Sequence, residues 1–469
     1  MRNKYPNKVM TEQEILRDVC EKESKSGLYD INIGGLPLYS MIRGIVRYRI
    51  IESCGLPIMT PKTSINKWAI IKSVFVSFLH LIKLMCANKK FSSIYYAFAR
   101  VDKVGDFFLD KFTDPIIEQC EKKGRYLIFD YGRGGCHPQP RVHNESIIYL
   151  DLLAIFARLY GMSFYRFYYH KYRKEFDLLF KELKASFGLD FNKTMIIKEF
   201  LSNRIYIGLL QNLFKRVSAD RVIGPARAFM AAPFLAAKRQ GMKTFELQHG
   251  ITYGETVLYS GYRDEMVVPD YFLTFGDNNP QNVYGIDETR IVNVGWAFQD
   301  YITNVSRKGM NYGSNDVLVV SDPEVTTPML NVIIGLAADN PESTFYFRPH
   351  PHEIITQEHK DMIAHFPNVK IQDKSINITL VLQMFNLIVG ENSTVMYEAL
   401  AIRKKVGRLF FEGLNPLYMN ESDRECFWEI RNQQDFIEFM KGDVNSKKSK
   451  CIYSSFDKNK YLKITGISA

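Results

Sequence analysis

The run Arg348-Pro349-His350-Pro351-His352-Glu353 gathers a guanidinium and two imidazoles around two prolines that hold the chain extended. A planar fork of N–H donors beside a directional ring N–H suits a phosphate ester. The plain alternative is a proline turn whose histidines cap a helix or face water. A second candidate is Gly390-Glu391-Asn392-Ser393-Thr394, which leads into VMYEALAI. Ser393 and Thr394 stand where a helix would begin, and free N–H groups and the helix dipole attract an anion there. Asn and Ser are also favoured as ordinary caps. Glu398, one turn further on, is in reach of a ribose diol or simply solvated.

The first half offers groups for proton transfer. Asp130 follows the run RYLIFD, Glu145 lies a little beyond, and His249 stands in the string Glu246-Leu247-Gln248-His249-Gly250. Each is a carboxylate or imidazole able to take a proton from a hydroxyl, and His249 can equally orient its loop. Arg133, His137, Arg227 and Gln248 accompany them as candidate contacts to an acceptor molecule.

Elements must place these residues together. Short apolar runs bounded by turn residues read as buried parallel strands at 125–130, 221–224, 243–248, 271–275, 316–320, 344–347, 368–372, 387–389 and 405–410. Helical spacing recurs at 146–160, 225–240, 327–338, 376–384 and 393–402, with Pro225 in a first turn and Gly241 past a helix end. Strands alternating with helices imply parallel sheets covered on both faces, and ligands of such sheets bind beyond the strands' carboxyl ends. The expected fold is α/β, with two Rossmann-like domains behind a helical N-terminal extension. The expected boundaries are 1–120 for the mostly helical region, 121–265 and 266–440 for the two domains, and 441–469 for a linker and tail.

Length and composition agree. The chain has 469 residues, 46% apolar and 24% charged, which fits two or three folded domains. Residues 1–250 hold 40 basic and 23 acidic side chains, a net +17, whereas 251–469 hold 21 and 28, a net −7. A basic first half meeting something anionic fits better than uniform nucleic-acid coating. The basic-aromatic run 164–174 (FYRFYYHKYRK) offers no continuous groove, so no nucleic-acid partner is expected. Seven cysteines without a CxxC pair, and no apolar stretch at the N-terminus, predict free thiols, no zinc site and no export. Residues 68–87 are the one membrane candidate. Lys72, His80 and Lys83 interrupt them, so the reading is a buried helix first, a helix in the membrane interface second, and a spanning anchor last.

Taken together, QHG at 248–250, VPDYFLTFGD at 268–277, IVNVGWAF at 291–298, RPHP at 348–351 and ENSTVMYEAL at 391–400 resemble bacterial GT-B glycosyltransferases of surface polysaccharide assembly. The chain is similar to capsule Kdo transferases and GT-B sialyltransferases, and the CDP-glycerol glycerophosphotransferases share the layout. The resemblance spans roughly residues 120–410. It implies a nucleotide-sugar donor held by the second domain, with Arg348, His350, Asn392, Ser393, Thr394 and Glu398 as donor contacts and a CMP-linked sugar such as CMP-Kdo as donor. It also implies an inverting displacement onto a capsule, lipopolysaccharide or O-antigen glycan, or a lipid-linked one, with Asp130, Glu145 or His249 as base. No cofactor and no metal are expected, since the sequence lacks Asp-x-Asp, GxxxxGKS/T, HExxH and GxSxG. The expected location is cytoplasmic and peripheral, on the inner face of the membrane. Transfer of an alditol phosphate from a CDP-linked donor and a catalytically silent scaffold are the alternatives.

Overall fold

The computed structural model describes residues 11–56, 66–86, 90–98, 101–132, 134–252, 254–257, 259–277, 284–299, 312–322, 325–351, 353–411, 416–418, 421–443 and 453–468. Its first sheet has seven parallel strands: β1 (Ser93–Tyr96), β2 (Tyr126–Asp130), β3 (Ile147–Tyr149), β4 (Arg221–Pro225), β5 (Lys243–Leu247), β6 (Tyr271–Thr274) and β7 (Ile291–Asn293). They lie in the order β7-β6-β5-β4-β1-β2-β3. The second sheet has six: β8 (Val317–Val320), β9 (Phe345–Arg348), β10 (Val369–Ile371), β11 (Leu387–Gly390), β12 (Lys405–Leu409) and β13 (Trp428–Ile430), in the order β10-β9-β8-β11-β12-β13. Both wind outward from the first strand in one direction and then in the other, which is the doubly wound Rossmann order. The switch points fall between β1 and β4 and between β8 and β11.

Alternation along the strands builds the layers. Ile94 and Tyr96 face one core of the first domain, while Tyr95 between them faces the other. Val317 and Val319 point into the second domain's outer core, and Leu318 and Val320 into the layer shared with the first domain. The helices α1 (Glu12–Ser24), α2 (Leu38–Ser53), α3 (Lys67–Cys86), α4 (Asp114–Cys120), α5 (Asp151–Lys171), α6 (Arg173–Phe187), α7 (Lys193–Val217) and α8 (Arg227–Lys238) belong to the first half. The second carries α9 (Thr326–Asp339), α10 (Gln357–Ala364), α11 (Ile378–Met384), α12 (Thr394–Ala401), α13 (Gln433–Lys441) and α14 (Lys458–Thr465). This is the expected GT-B type layout of two Rossmann-like domains behind N-terminal helices.

Several expectations are corrected. The boundary at 120 falls too late, because β1, the strand from which the first sheet winds, lies within the mostly helical region 1–120. The boundary at 265 falls too early, since β6 and β7 pair into the first sheet beside β5. Residues 146–160 are split: 147–149 form the edge strand β3, and the helix starts at Asp151. Pro225 ends β4 instead of opening a helix, and Ala226 turns the chain at φ 63°. Within 441–469, the described residues 453–468 are no loose tail. Ser454 N donates to the Phe275 carbonyl at 2.8 Å, and Asp457 N to that of Val294 at 2.8 Å. Tyr461 of α14 meets Tyr95 of β1, hydroxyl to hydroxyl, at 3.1 Å. Nor is α3 a buried helix, for only Ser73, Ser77, Leu81 and Leu84 of its residues are buried.

Candidate functional site

The carboxyl edges of the two sheets face each other. The chain leaving β1 forms a small hairpin, Asp102–Val104 with Phe107–Leu109, and then Lys111. Lys111 Nζ donates to Glu398 Oε1 at 2.7 Å, reaching α12 just beyond β11. Asp102 on the same hairpin is hydrogen bonded to Asn377, the N-cap of α11, and burial pushes its carboxyl up. The chain after the first strand of one sheet thus touches the helix after β11 and the loop after β10 of the other.

On the second domain's side, most predicted donor contacts shape the loops. Arg348 Nη2 donates to the carbonyls of Lys374 at 3.2 Å and Ile376 at 2.6 Å, and Nη1 donates to that of Asp373. Burial lowers its pKa, and its fork is committed to protein, so the predicted phosphate contact is corrected to a loop clamp. Asn392 is corrected likewise: its Oδ1 accepts from Leu417 N at 2.6 Å and Arg408 Nη1 at 3.0 Å. His350, half-buried after β9, is placed by its own N–H, which donates to Glu353 Oε2 at 2.7 Å. The buried Glu353 carboxylate also accepts from Ser321 Oγ at 2.9 Å and Thr326 Oγ1 at 2.6 Å, fastening the loops after β8 and β9 to the start of α9. Ser393 caps α12 by accepting from Val395 N at 3.3 Å, and Thr394 is exposed at the first position of that helix. Gly390 permits the close approach of β11 to β8, since a Cβ there would stand 2.8 Å from the Val320 carbonyl oxygen. His350, Ser393, Thr394 and Glu398 therefore gather at one sheet edge.

On the first domain's side, His249 follows β5 and is half-buried. Its Nδ1 lies 2.9 Å from Tyr259 Oη, and its ring lies 5.7 Å from that of Phe98 and 6.5 Å from that of Phe112. Lys111 Nζ sits 5.4 Å from the centroid of Phe112, so one chain of contacts runs from His249 to Glu398. Gln248 is corrected from acceptor contact to strut: its amide donates to Gly250 O at 3.1 Å and accepts from Phe275 N at 2.9 Å. Arg227 is corrected too, because its Nε donates to buried Glu246 at 2.7 Å beneath the rings of Tyr259 and Phe272.

Asp130 is no free base. His137 donates from Nδ1 to Asp130 and from Nε2 to Asp151, both at 2.8 Å, and stacks on Tyr149 at 3.6 Å. Burial disfavours the imidazolium, but the hydrogen bonds and charges of the two carboxylates outweigh it and push the pKa up to about 9. His137 is accordingly a buried cation, corrected from acceptor contact. Arg141 lies 3.5 Å from Asp130 and 3.7 Å from Asp114, whose carboxyl is pushed up by burial and by neighbouring Asp110. Glu145 precedes β3 at the opposite sheet edge, where exposed Lys123 pairs with it at 3.0 Å, so it does not join the site. Arg133 lies outside the described residues.

Glu353, Lys111 and Arg408 escaped sequence reasoning. Glu353 stood inside the RPHPHE run and Arg408 is the fourth residue of the strand run KVGRL, where a wholly buried arginine needs partners. Arg408 finds the carbonyls of Glu391 at 2.8 Å and Leu417 at 2.7 Å, and the Tyr397 hydroxyl at 2.7 Å. Lys111 carries no local signal, for its partner is 287 residues away. The six described cysteines are free, and no cluster of three or more metal-binding side chains occurs among the described residues.

No family model and no curated protein matches the chain. Solved structures do. The UDP-GlcNAc 2-epimerase of Methanocaldococcus jannaschii superposes at a TM-score of 0.48 with 13% identity, over 81% of this chain and 100% of that one. The enzyme of the same name from Neisseria meningitidis, bound to UDP-GlcNAc, gives 0.47 and 11% over 80% of this chain and 99% of its own. A glycosyltransferase from Rickettsia africae ESF-5 gives 0.46 and 14% over 80% and 98%. Each likeness is one of chain path alone.

Proposed function

We propose that the protein is a nucleotide-sugar enzyme, a glycosyltransferase that moves a sugar from a CMP-activated donor to a cell-envelope polysaccharide or lipid-linked glycan. The observation that carries the reading is the meeting of the two carboxyl edges through Lys111 and Glu398, between a helix N-terminus at a Rossmann switch point and an imidazole on the other sheet. The donor phosphate is taken by the start of α12 and His350, with Glu398 toward the ribose. His249 is the base of choice, because Asp130 is spent on His137 and Glu145 faces away. The acceptor hydroxyl gives its proton to His249 as its oxygen attacks the anomeric carbon. The carbon–oxygen bond to the phosphate breaks with its electron pair on the leaving nucleotide, whose charge His350 and the helix N–H groups stabilise. A single displacement inverts the anomeric configuration.

The test is thermal melting of the full chain with CMP, CDP, UDP, GDP or dTDP, with and without EDTA. A ligand at about 100 times its Kd stabilises by about 2.7 kcal/mol. The expected result is a shift with CMP that survives EDTA and disappears in His350→Ala and Ser393→Gly, the glycine keeping most of the cap. A shift with UDP alone removes the CMP donor. No shift with any nucleotide removes the reading altogether. Product mass after turnover separates a transferred sugar from a transferred alditol phosphate.

A further inference from the structure

Helix α3 buries Leu81 and Leu84 but turns most of its large apolar side chains outward. Its buried face carries Ser73 and Ser77, and the Ser77 hydroxyl donates to the Tyr149 carbonyl at 2.6 Å and accepts from Leu152 N at 3.2 Å. Ser73 Oγ lies 3.0 Å from His137 Nε2. At about 100° per residue, the stripe opposite those serines is Trp68, Ile71, Phe75, Phe78, Ile82 and Met85. All six face outward, Trp68 with 80% and Phe75 with 60% of its surface exposed. Beside α3, α5 adds exposed Phe156, Leu159, Met162 and Phe167. A helix that turns serines inward and large apolar side chains outward is at odds with water on its outer side.

Charge identifies what covers the face. The exposed charged residues of the two helices are Lys67, Lys72, Lys83, Arg158, Arg166 and Lys171, and the one acid in either, Asp151, is buried under His137. Lys72 and Lys83 fall at one margin of the apolar stripe, where long stems run along lipid and bring ammonium groups to phosphate. A second copy would bring like charges together, whereas an anionic bilayer complements them. By length and composition α3 is able to cross a membrane. Its serines instead tie it lengthwise to β3 and the start of α5, so it lies flat on the domain. Loop 134–137 packs beneath it, close enough that a Cβ on Gly135 would stand 2.6 Å from the Ile70 Cα.

We infer that the joint α3–α5 face docks on an anionic phospholipid surface, in the interface and not across it, which brings the carboxyl edge of β2 and β3 to the lipid. The inference does not need the nucleotide-sugar reading, since binding is measured without nucleotide. The full chain is sedimented with vesicles of phosphatidylglycerol and phosphatidylethanolamine, and in parallel with phosphatidylcholine alone. The expected result is binding to the anionic vesicles, weakened by salt, with a blue shift of tryptophan emission that Trp68→Tyr removes. Phe75→Ser/Phe78→Ser/Ile82→Ser is expected to lower partitioning at least about tenfold. Lys72→Glu/Lys83→Glu, which leaves the apolar stripe intact, is expected to lower it on anionic vesicles only. Unchanged melting and circular dichroism exclude misfolding, and the charge pair carries the test should the triple variant fail to fold. Absence of vesicle binding by the native chain overturns the inference. So does a lipid-free dimer in sedimentation velocity that the triple variant abolishes, because the face then belongs to a second copy.

Discussion

The two sheets share a winding order but use buried charge differently at their carboxyl edges. In the first domain, charge answers charge: His137 lies between Asp130 and Asp151, and Arg227 is locked to Glu246. In the second, lone charged side chains serve polar groups of the loops, with Arg348 and Arg408 on carbonyls and Glu353 on two hydroxyls and an N–H. Breaking an ion pair strands a buried charge, whereas removing a loop clamp frees groups that water can reach. The first arrangement is therefore expected to govern stability and the second the shape of the binding edge.

Arg227→Ala should show the largest effect, a loss of about 3–5 kcal/mol in urea unfolding, because Glu246 is left buried without its counter-charge. Adding Glu246→Gln should recover part of it; no recovery would break the contrast. Next comes pH. With a folded pKa raised to about 9, the stability His137 supplies is fully present below its unfolded value near 6.5 and is lost as pH rises through about 9. Chemical denaturation should register about 2–3 kcal/mol less between pH 6.5 and 9.5, a slope that His137→Gln abolishes.

Glu353→Gln should cost about 1–3 kcal/mol and, more tellingly, reduce the nucleotide melting shift, since it releases the loops after β8 and β9. Lys111→Met takes the cation from the buried Glu398 carboxylate and should cost about 1–3 kcal/mol. Its turnover should fall about tenfold through looser registration of the two edges. An equal fall of the nucleotide melting shift and of turnover in both variants would erase the distinction between clamp and bridge. The smallest change belongs to Glu145→Ala, within about 0.5 kcal/mol and with transfer activity retained.

Sequence alone determined the layer structure. Apolar runs such as VLVV at 317–320 and LIVG at 387–390 are strands because their β-branched side chains must be buried on both faces, and such runs alternating with helices make a parallel sheet. It also located the loops at 348–353 and 390–394, since their glycines, prolines and cap residues act within a few positions. Three-dimensional packing decided the rest. SIYY at 93–96 is too short to stand out, yet six other strands complete its sheet. Arg348 and Asn392 have the chemistry of ligand contacts, and only the fold shows carbonyls and N–H groups already using it. Lys111 acquires its role from a carboxylate hundreds of residues away, and α3 shows its apolar stripe only because its serines find the Tyr149 carbonyl and His137. Propensity and caps act locally and are written in the chain, whereas desolvation and pairing of charge depend on neighbours that the chain meets only after it folds.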